Sequence, residues 1–152
     1  MAEGPRAGER APDFEARNQN GQTVALASFR GRPVVLYFYP KDDTPGCTAE
    51  ACSFRDLMSV LRDRGIVVLG VSVDSEESHA GFASKYNLNF TLLSDTKKII
   101  VRAYGVESPF GTARRLTYII GPDGTIKYVF PHVSTKTHGD DVLKKLEEFG
   151  LA

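Results

Sequence analysis

Two nearly continuous apolar runs constrain the fold of this chain more than any other feature. PVVLYFYP, at 33–40, and IVVLGVSV, at 66–73, have the composition of strands that are buried on both faces, as in a parallel sheet. Between them, apolar residues recur at helical spacing from Phe54 to Leu61, and Gly65 is placed to end that helix. A buried strand, a helix and a second buried strand in succession predict an α/β domain with a parallel core.

Turn-forming residues predict strands on both sides of this core. Asn20-Gly21, between FEARNQ and QTVAL, predicts an N-terminal β-hairpin. FTLL at 90–93 is a short strand, and Gly-Pro-Asp-Gly at 121–124 predicts a closing antiparallel hairpin between LTYII and TIKYVF. The expected fold is a single domain over residues 1–152, with a thioredoxin-like central mixed sheet that is flanked by helices.

Three more helices are predicted after the first. Asp74 and Glu77 are expected to cap the second helix, and Asp95 is expected to begin a third that ends near Tyr104. Apolar residues at helical spacing over 142–149 predict a C-terminal helix. Helices alternating with strands in this way are typical of sheets whose reactive groups lie beyond the carboxyl ends of the strands.

Composition limits the partners that the chain is expected to have. Lys and Arg number 19, as do Asp and Glu, and no segment concentrates basic residues, so a nucleic-acid partner is not expected. No apolar stretch approaches the roughly 18 residues of a membrane span, and the polar N-terminus does not resemble a secretory signal. We therefore expect a cytoplasmic protein without a membrane partner, in which cysteines are more often reactive or metal-bound than structural.

Both cysteines lie in the segment YPKDDTPGCTAEACSFRD, residues 39–56. Pro40 ends the preceding strand because proline cannot donate to the sheet, and Pro45 suits the first turn of a helix. Cys47 then falls in that first turn, beside free backbone N–H groups and the positive end of the helix dipole. This setting favours the thiolate, which is the reactive form of cysteine.

The two cysteines are predicted to face different sides of this helix. Helical periodicity directs Cys47 to the core side, at the floor of a shallow pocket, whereas Cys52 lies about 140° around the helix on the wetter side. The side chains of Asp42, Asp43 and Thr44 are expected to accept hydrogen bonds from backbone N–H groups of the turn and the helix start.

The spacing of Cys47 and Cys52 predicts thiols that are separated while the helix is intact. Five residues along a regular helix place the two Cα atoms about 8–9 Å apart, but a disulfide needs them within about 7 Å. A transient disulfide, formed after the first turns unwind, is compatible with the helix. The pattern therefore indicates a redox cycle in which Cys47 is oxidised to a sulfenic acid that Cys52 attacks. The Thr44 hydroxyl, backbone N–H groups and an arginine from elsewhere could serve as donors to the leaving oxygen.

Two other interpretations of the cysteines are open on the sequence. Free cysteines can be inert core residues, since cysteine is often buried. A metal site would need two further ligands, and His79, His132 and His138 are scattered without ligand spacing, so no metal is expected. His79 is most simply one residue of a helix stripe.

The motif Pro40-x-x-x-Thr44-x-x-Cys47 matches the active-site motif of peroxiredoxins. The whole segment at 39–56 closely resembles the bacterioferritin comigratory protein or peroxiredoxin Q subfamily, whose resolving cysteine stands five residues after the peroxidatic one. GVSVDSEESHAGFASKYNLNFTLLSD and RLTYIIGPDGTI resemble other regions of the subfamily, so the resemblance covers nearly the whole chain.

The resemblance implies a role for each residue that matches the family's motif. Cys47 would be the peroxidatic nucleophile and Cys52 the resolving thiol. Thr44 would hold the thiolate and the peroxide through its hydroxyl, Pro40 would shield the pocket from water, and Glu50 would orient an active-site arginine.

That arginine precedes a strand in the pattern R-x-T-F, which matches Arg115-Leu116-Thr117-Tyr118. Arg114 stands beside it, and a one-residue slip would exchange the two. The resemblance also implies a thiol peroxidase that reduces hydrogen peroxide and organic hydroperoxides without metal, haem or flavin, and that thioredoxin or a similar dithiol protein then reduces. The subfamily is often monomeric, so a monomer is expected.

Two functions of other classes remain alternatives on the sequence. A thioredoxin-like disulfide reductase or carrier would use the same fold, although the C-x-x-C pair of such proteins is absent. A non-catalytic holdase on the same fold would suppress aggregation without consuming peroxide and without needing Cys47.

Overall fold

The computed structural model describes residues 4–152, so the first three residues of the predicted 1–152 domain lie outside the described residues. Within the described part of the chain, seven strands alternate with four α-helices and one short 3-10 helix. In chain order they are β1 (Glu15–Asn18), β2 (Thr23–Ala25), the 3-10 helix (Leu26–Phe29), β3 (Val34–Phe38), α1 (Pro45–Asp63), β4 (Val67–Ser72), α2 (Glu76–Tyr86), β5 (Thr91–Ser94), α3 (Ile99–Ala103), β6 (Leu116–Ile120), β7 (Ile126–Phe130) and α4 (His138–Glu148).

The strands form one mixed sheet in the order β2-β1-β5-β4-β3-β6-β7. β3, β4 and β5 are parallel to one another. On the other side of β3, β6 pairs antiparallel with β3, and β7 pairs antiparallel with β6. The N-terminal hairpin of β1 and β2 completes the other side through an antiparallel pairing of β1 with β5. The predicted α/β class, with a parallel core and antiparallel hairpins, is confirmed.

β3 is buried along its whole length because helices cover both faces of the sheet. Alternate residues of a strand point to opposite faces. Val35, Tyr37 and Tyr39 accordingly pack in the core formed with α1, α2 and α4. Leu36 and Phe38 pack in the second core, on the side of α3 and the 3-10 helix.

α1 carries both cysteines and faces the first of these cores. The helix starts at Pro45, and Gly65 lies just beyond its end with φ of 73°, a left-handed conformation that glycine adopts without steric cost. Its buried residues recur at helical spacing: Cys47, Glu50, Ala51, Phe54, Met58 and Leu61. The prediction that one helix spans both cysteines is therefore confirmed, and Glu50 is the one carboxylate on this buried face.

The starts of α2 and α3 differ from the prediction. The N-cap of α2 is Ser75, whose side chain accepts the N–H of Ser78, because Asp74 is instead bonded to other groups. Asp95 does not begin α3. Lys98 has φ of 61°, which a right-handed helix cannot contain, so the helix starts only after it, and the Asp95 carboxylate accepts the Val101 N–H.

Among residues 4–152, no helix combines the length and the apolar character that crossing a membrane would require.

Candidate active site

Cys47 lies in the first turn of α1, after the loop that follows the buried strand β3, as the turn-forming residues predicted. Its side chain is almost completely buried, with 1% of its surface exposed, and it is a free thiol. Cys52 is also a free thiol, lies on the same helix and is partly exposed. The structure therefore presents the reduced arrangement, in which an intact helix separates the two sulfur atoms.

Arg115 joins Cys47 to Glu50 through one guanidinium group. Its Nη1 donates to Glu50 Oε1 at 2.6 Å, and its Nη2 donates to Cys47 Sγ at 3.3 Å. A guanidinium is charged at any physiological pH, so its donor stabilises negative charge on the sulfur. Because the two donors sit in a rigid fork, the bond to Glu50 also fixes the orientation in which the other nitrogen meets Cys47.

The structure brings Arg115, and not Arg114, to the cysteine. Side chains alternate along the segment that enters β6, so Arg115 lies on the same face as Thr117, toward α1. Leu116 and Tyr118 pack in the core on the other face. Arg114 accordingly turns away, and its guanidinium donates to the carbonyl oxygen of Gly105.

Glu50 is an unusual carboxyl group because it is completely buried. Burial raises its pKa to about 7, an effect that outweighs the opposing influence of the Arg115 charge. Among the described residues, its Oε2 atom has no hydrogen-bond partner. Glu50 can therefore gain or lose a proton near neutral pH while it holds the arginine.

Three polar residues that the sequence analysis did not assign to the site surround Glu50. His138 Nε2 lies 3.8 Å from Glu50 Oε2 and 2.8 Å from the Thr117 hydroxyl. Burial lowers the pKa of His138 to about 4, so at neutral pH the ring is uncharged and its contact with Glu50 is not an ion pair. The Tyr37 hydroxyl is buried without a hydrogen-bond partner among the described residues, and burial, followed by the nearby Glu50 and Cys47, raises the pKa of Tyr37.

Part of this cluster could have been found from the sequence. Alternation along β3 and β6 places Tyr37 and Thr117 on the α1 face, and the two residues are direct partners in the sheet. No sequence signal could have brought in His138, because it starts a helix that arrives from the far end of the chain. The site thus includes Tyr37, Thr117 and His138 as buried polar residues near Arg115 and Glu50.

The loop before Cys47 differs from the prediction in its hydrogen bonds. Thr44 occupies the N-cap position of α1, but its hydroxyl donates to the Lys41 carbonyl oxygen at 2.8 Å instead of accepting a helix N–H. Asp42 and Asp43 bond to side chains that include residues of α2, so neither carboxylate caps α1. The loop is therefore held mainly by long-range contacts. Pro40 is partly buried at its start.

A cavity of the described structure lies away from the predicted shallow pocket at Cys47. That cavity is lined by residues such as Met58, Arg62, Val67 and Thr91, at the start of the parallel strands. It lies at the opposite end of the strands from Cys47 and contains none of the predicted site residues. The Arg115 guanidinium contacts Cys47 Sγ and also lies close to the preceding residue, since a methyl group on Gly46 would come 3.2 Å from Arg115 Nη2.

The sequence matches the family model described as the AhpC/TSA family over residues 7–129. A putative peroxiredoxin bcp of Coxiella burnetii is 44% identical over 146 residues, which cover 91% of this chain and 97% of that protein. The chloroplastic peroxiredoxin Q of Sedum lineare is 44% identical over 143 residues, covering 92% of this chain and 77% of that protein. The crystal structure of peroxidoxin BcpB from Mycobacterium tuberculosis superposes with a TM-score of 0.87 at 33% identity, covering 94% of this chain and 97% of that one.

Proposed function

The chain belongs to the AhpC/TSA family and is a thiol-dependent peroxidase, and on this premise we propose that Cys47 is the peroxidatic thiol and Cys52 the resolving thiol. The single observation that carries the proposal is the Arg115 guanidinium, which contacts Cys47 Sγ and Glu50 Oε1 at once. The inert-core interpretation of Cys47 does not explain why a buried sulfur faces a charged donor. The reductase and holdase alternatives have no comparable observation in their favour.

In the first step, the Cys47 thiolate attacks the terminal oxygen of a hydroperoxide. A sulfur–oxygen bond forms and the O–O bond breaks, so that Cys47 becomes a sulfenic acid and the peroxide leaves as an alkoxide or hydroxide, which takes up a proton. Arg115 and the free N–H groups at the start of α1 are the donors that stabilise the charge on the leaving oxygen. The proposal also includes Thr44, the N-cap residue of α1, as a donor once its hydroxyl has released the Lys41 carbonyl oxygen.

In the second step, the Cys52 thiol attacks the sulfenic sulfur of Cys47. The disulfide forms, the S–O bond breaks, and water leaves with the thiol proton. The two Cα atoms are about 8–9 Å apart on a regular helix, which is beyond disulfide range, so the first turns of α1 must unwind before the sulfurs meet. A reduced dithiol protein of the thioredoxin type then reopens the disulfide by thiol–disulfide exchange.

The substrates are hydrogen peroxide and organic hydroperoxides, and the protein acts as a cytoplasmic monomer in this proposal. The roles that the resemblance gives to Pro40, as a cover against water, and to Glu50, as the support of Arg115, belong to it as well. The described structure agrees with the Glu50 role in that the carboxylate holds Arg115 at 2.6 Å.

Thiol alkylation read by intact mass tests the proposal most directly. The reduced protein should take up two alkyl groups, and after one equivalent of peroxide it should take up none, because an intramolecular disulfide has formed. The Cys47→Ser variant should consume no peroxide. Normal peroxide consumption by that variant would disprove the mechanism.

The Cys52→Ser variant separates the roles of the two thiols. It should complete the first oxidation, so peptide mass spectrometry after one equivalent of peroxide should find sulfenic or further oxidised Cys47, while turnover with thioredoxin should be lost. If peroxide instead oxidised Cys52 in the Cys47→Ser variant and left Cys47 unoxidised in the Cys52→Ser variant, the roles of the two cysteines would be reversed.

A further inference from the structure

His79 lies outside the site described above, yet it contacts the loop that leads to Cys47. It is completely buried in α2, and its Nδ1 lies 2.7 Å from Asp42 Oδ2, in the middle of that loop. We propose that His79 is a positioning residue for the peroxidase reaction, which holds the segment 40–46 in the geometry that Cys47 needs. The inference rests on the proposed function of Cys47.

Both ring nitrogens of His79 face oxygen acceptors. Nε2 lies 2.9 Å from the carbonyl oxygen of Leu93, which has no proton to give, and Nδ1 faces the carboxylate of Asp42. A neutral imidazole could satisfy only one of these acceptors as a donor. The buried ring therefore bridges the carboxylate of Asp42, in the loop, and the carbonyl of Leu93, in β5.

Asp42 is bonded on every side, so that its position is fixed by more than the histidine alone. Its carboxylate also accepts the Tyr39 hydroxyl at 2.6 Å and the Ser78 hydroxyl at 2.8 Å. Its backbone N–H donates to Asp74 Oδ2 at 2.9 Å, and the Ser72 hydroxyl donates to the same oxygen. Loss of the His79 ring would leave the buried carboxyl group of Asp42 without one of its hydrogen-bond partners, which is costly in a dry environment.

The same acidic and histidine side chains could be taken for a cation site, since ligand atoms of Asp42, Asp74 and His79 lie within 4.8 Å of one another. The hydrogen bonds favour a network instead. Nδ1 of His79 contacts Asp42 Oδ2 directly at 2.7 Å, and Asp74 Oδ2 already accepts two hydrogen bonds. A cation among these atoms would have to displace the donors that hold the loop.

A second contact between the loop and α2 serves as a natural comparison. The Asp43 carboxylate accepts hydrogen bonds from Lys85 Nζ and from the Tyr86 hydroxyl, but the Asp43–Lys85 pair is exposed to solvent. Exposed pairs contribute little because water screens them. The buried Asp42–His79 pair is therefore the contact expected to decide where the loop lies, and the exposed pair supplies a matched control.

Contacts inside the loop carry the position of Asp42 to the start of α1. The Thr44 hydroxyl donates to the carbonyl of Lys41, the residue before Asp42, and the Thr44 carbonyl accepts the Thr48 N–H in the first turn of α1. A shift of Asp42 would thus move Thr44 and the free N–H groups that surround Cys47. Misplacing reacting groups by about 1 Å can cost on the order of 100-fold in rate.

The test measures the rate of the first oxidation of Cys47 in His79→Gln, Asp42→Asn and the double variant, by quenched flow, alkylation and intact mass. Each single variant should react roughly 10- to 100-fold more slowly than wild type, and the double variant should be no slower than the worse single variant, because both changes break one contact. Lys85→Gln, which breaks the exposed pair from the same helix, should stay within about twofold. Single variants that react within twofold of wild type, or a double variant whose losses multiply, would overturn the proposal.

A second measurement uses only the wild-type protein, so it does not depend on whether a variant folds. In the wild-type protein labelled with ¹⁵N-histidine, Nδ1 of His79 should carry a proton that exchanges slowly with solvent, because it is buried against Asp42 Oδ2, and an Nδ1 without a proton would overturn the paired geometry. The two proposals fail separately. If Cys47→Ser retains peroxidase activity, the proposed function fails, whereas if Cys47 is essential and the His79 and Asp42 variants react normally, only the positioning role fails.

Discussion

The backbone N–H of Gly139, in the first turn of α4, donates to the Ser53 hydroxyl oxygen of α1 at 3.0 Å. Ser53 follows Cys52 directly, and its hydroxyl in turn donates to the Glu50 carbonyl oxygen at 2.7 Å. A methyl group on Gly139 would come 2.5 Å from the Ser53 carbonyl oxygen, so only glycine permits the two helices to approach this closely. α4 is therefore attached to α1 immediately after Cys52, the proposed resolving thiol.

Residues that follow Ser53 are attached on other sides as well. Phe54 is fully buried and stacks on Tyr37, with their ring centroids 4.8 Å apart. Arg55 donates to the Tyr86 carbonyl oxygen, and its own carbonyl accepts a hydrogen bond from Asn89. The helix is thus fixed from Ser53 onward, and the unwinding that disulfide formation requires should be limited to residues 45–52.

Amide hydrogen exchange of the reduced and disulfide forms checks this limit. In the disulfide form, amides of residues 48–56 should lose protection by tenfold or more, because the helical bonds that they donate to the carbonyls of residues 44–52 are broken, while amides of 57–63 should keep the protection of the reduced form. Mass spectrometry of peptides that divide the helix near Asp56 gives this donor boundary, which corresponds to unwinding up to residue 52. Loss of protection throughout 45–63 would contradict a boundary at Ser53.

Gly139→Ala should weaken the attachment of α4 to α1. The added methyl cannot fit against the Ser53 carbonyl without a shift of the backbone, so a loss of about 1–3 kcal/mol in the free energy of unfolding is expected. The loosened helix should also form the Cys47–Cys52 disulfide faster after oxidation. Gly81→Ala is the matched control, because a methyl at this exposed position in α2 meets nothing within 4 Å, and alanine should there be neutral or slightly stabilising. Equal effects of the two substitutions on stability would contradict the prediction.

Arg115→Ala should slow the oxidation of Cys47 far more than Arg114→Ala does. Arg115 reaches Cys47 Sγ, and removing a donor from a site where charge develops costs about 100- to 1000-fold in rate. Arg114 points to the Gly105 carbonyl on the other side, so its loss should change the rate little. The second-order rate constants with hydrogen peroxide, measured under single-turnover conditions, distinguish the two. A similar loss in both variants would mean that the contact seen here is not the catalytic one.

Local patterns were sufficient for the fold and for the location of Cys47. The apolar runs predicted the parallel core, and proline and glycine predicted the helix that carries both thiols, because these signals depend on a few neighbouring residues. The start of α3 was predicted too early, since nothing in the sequence indicates that Lys98 adopts a left-handed conformation.

Contacts between distant segments could not be predicted from local patterns. Asp42 and Asp43 suit a turn by composition, but they bond to α2, about 35 to 45 residues further along the chain. His138 reaches Glu50 only because α4 packs on α1. Residue type alone did not reveal these partners, because each is selected by the packing of whole elements rather than by spacing.

Glu50 should make the protein less stable as the pH rises. Burial raises its pKa from 4.5 to about 7 in the folded protein, so the folded state holds this proton more tightly than the unfolded chain does. Its stabilising contribution is complete below pH 4.5 and is lost as the pH rises through 7. Relative to Glu50→Gln, the wild-type free energy of unfolding should fall by on the order of 3 kcal/mol across this range. Urea unfolding of both proteins at several pH values measures the difference, and curves that stay parallel would contradict it.

His138 should act in the opposite direction over nearly the same range. Burial lowers its pKa from 6.5 to about 4, so the unfolded chain binds this proton more tightly than the folded protein does. The stabilising contribution of the neutral ring is complete above pH 6.5 and is lost as the pH falls through 4.

The free energy of unfolding of the wild-type protein should therefore depend only weakly on pH between 4.5 and 6.5, because the opposite slopes due to Glu50 and His138 partly cancel. Glu50→Gln should become more stable as the pH rises, and His138→Gln, whose amide oxygen can still accept the Thr117 hydroxyl, should become less stable. The same urea series, extended to the double variant, measures these slopes. Slopes of the same sign in the two single variants would show that the groups do not titrate as this buried cluster requires.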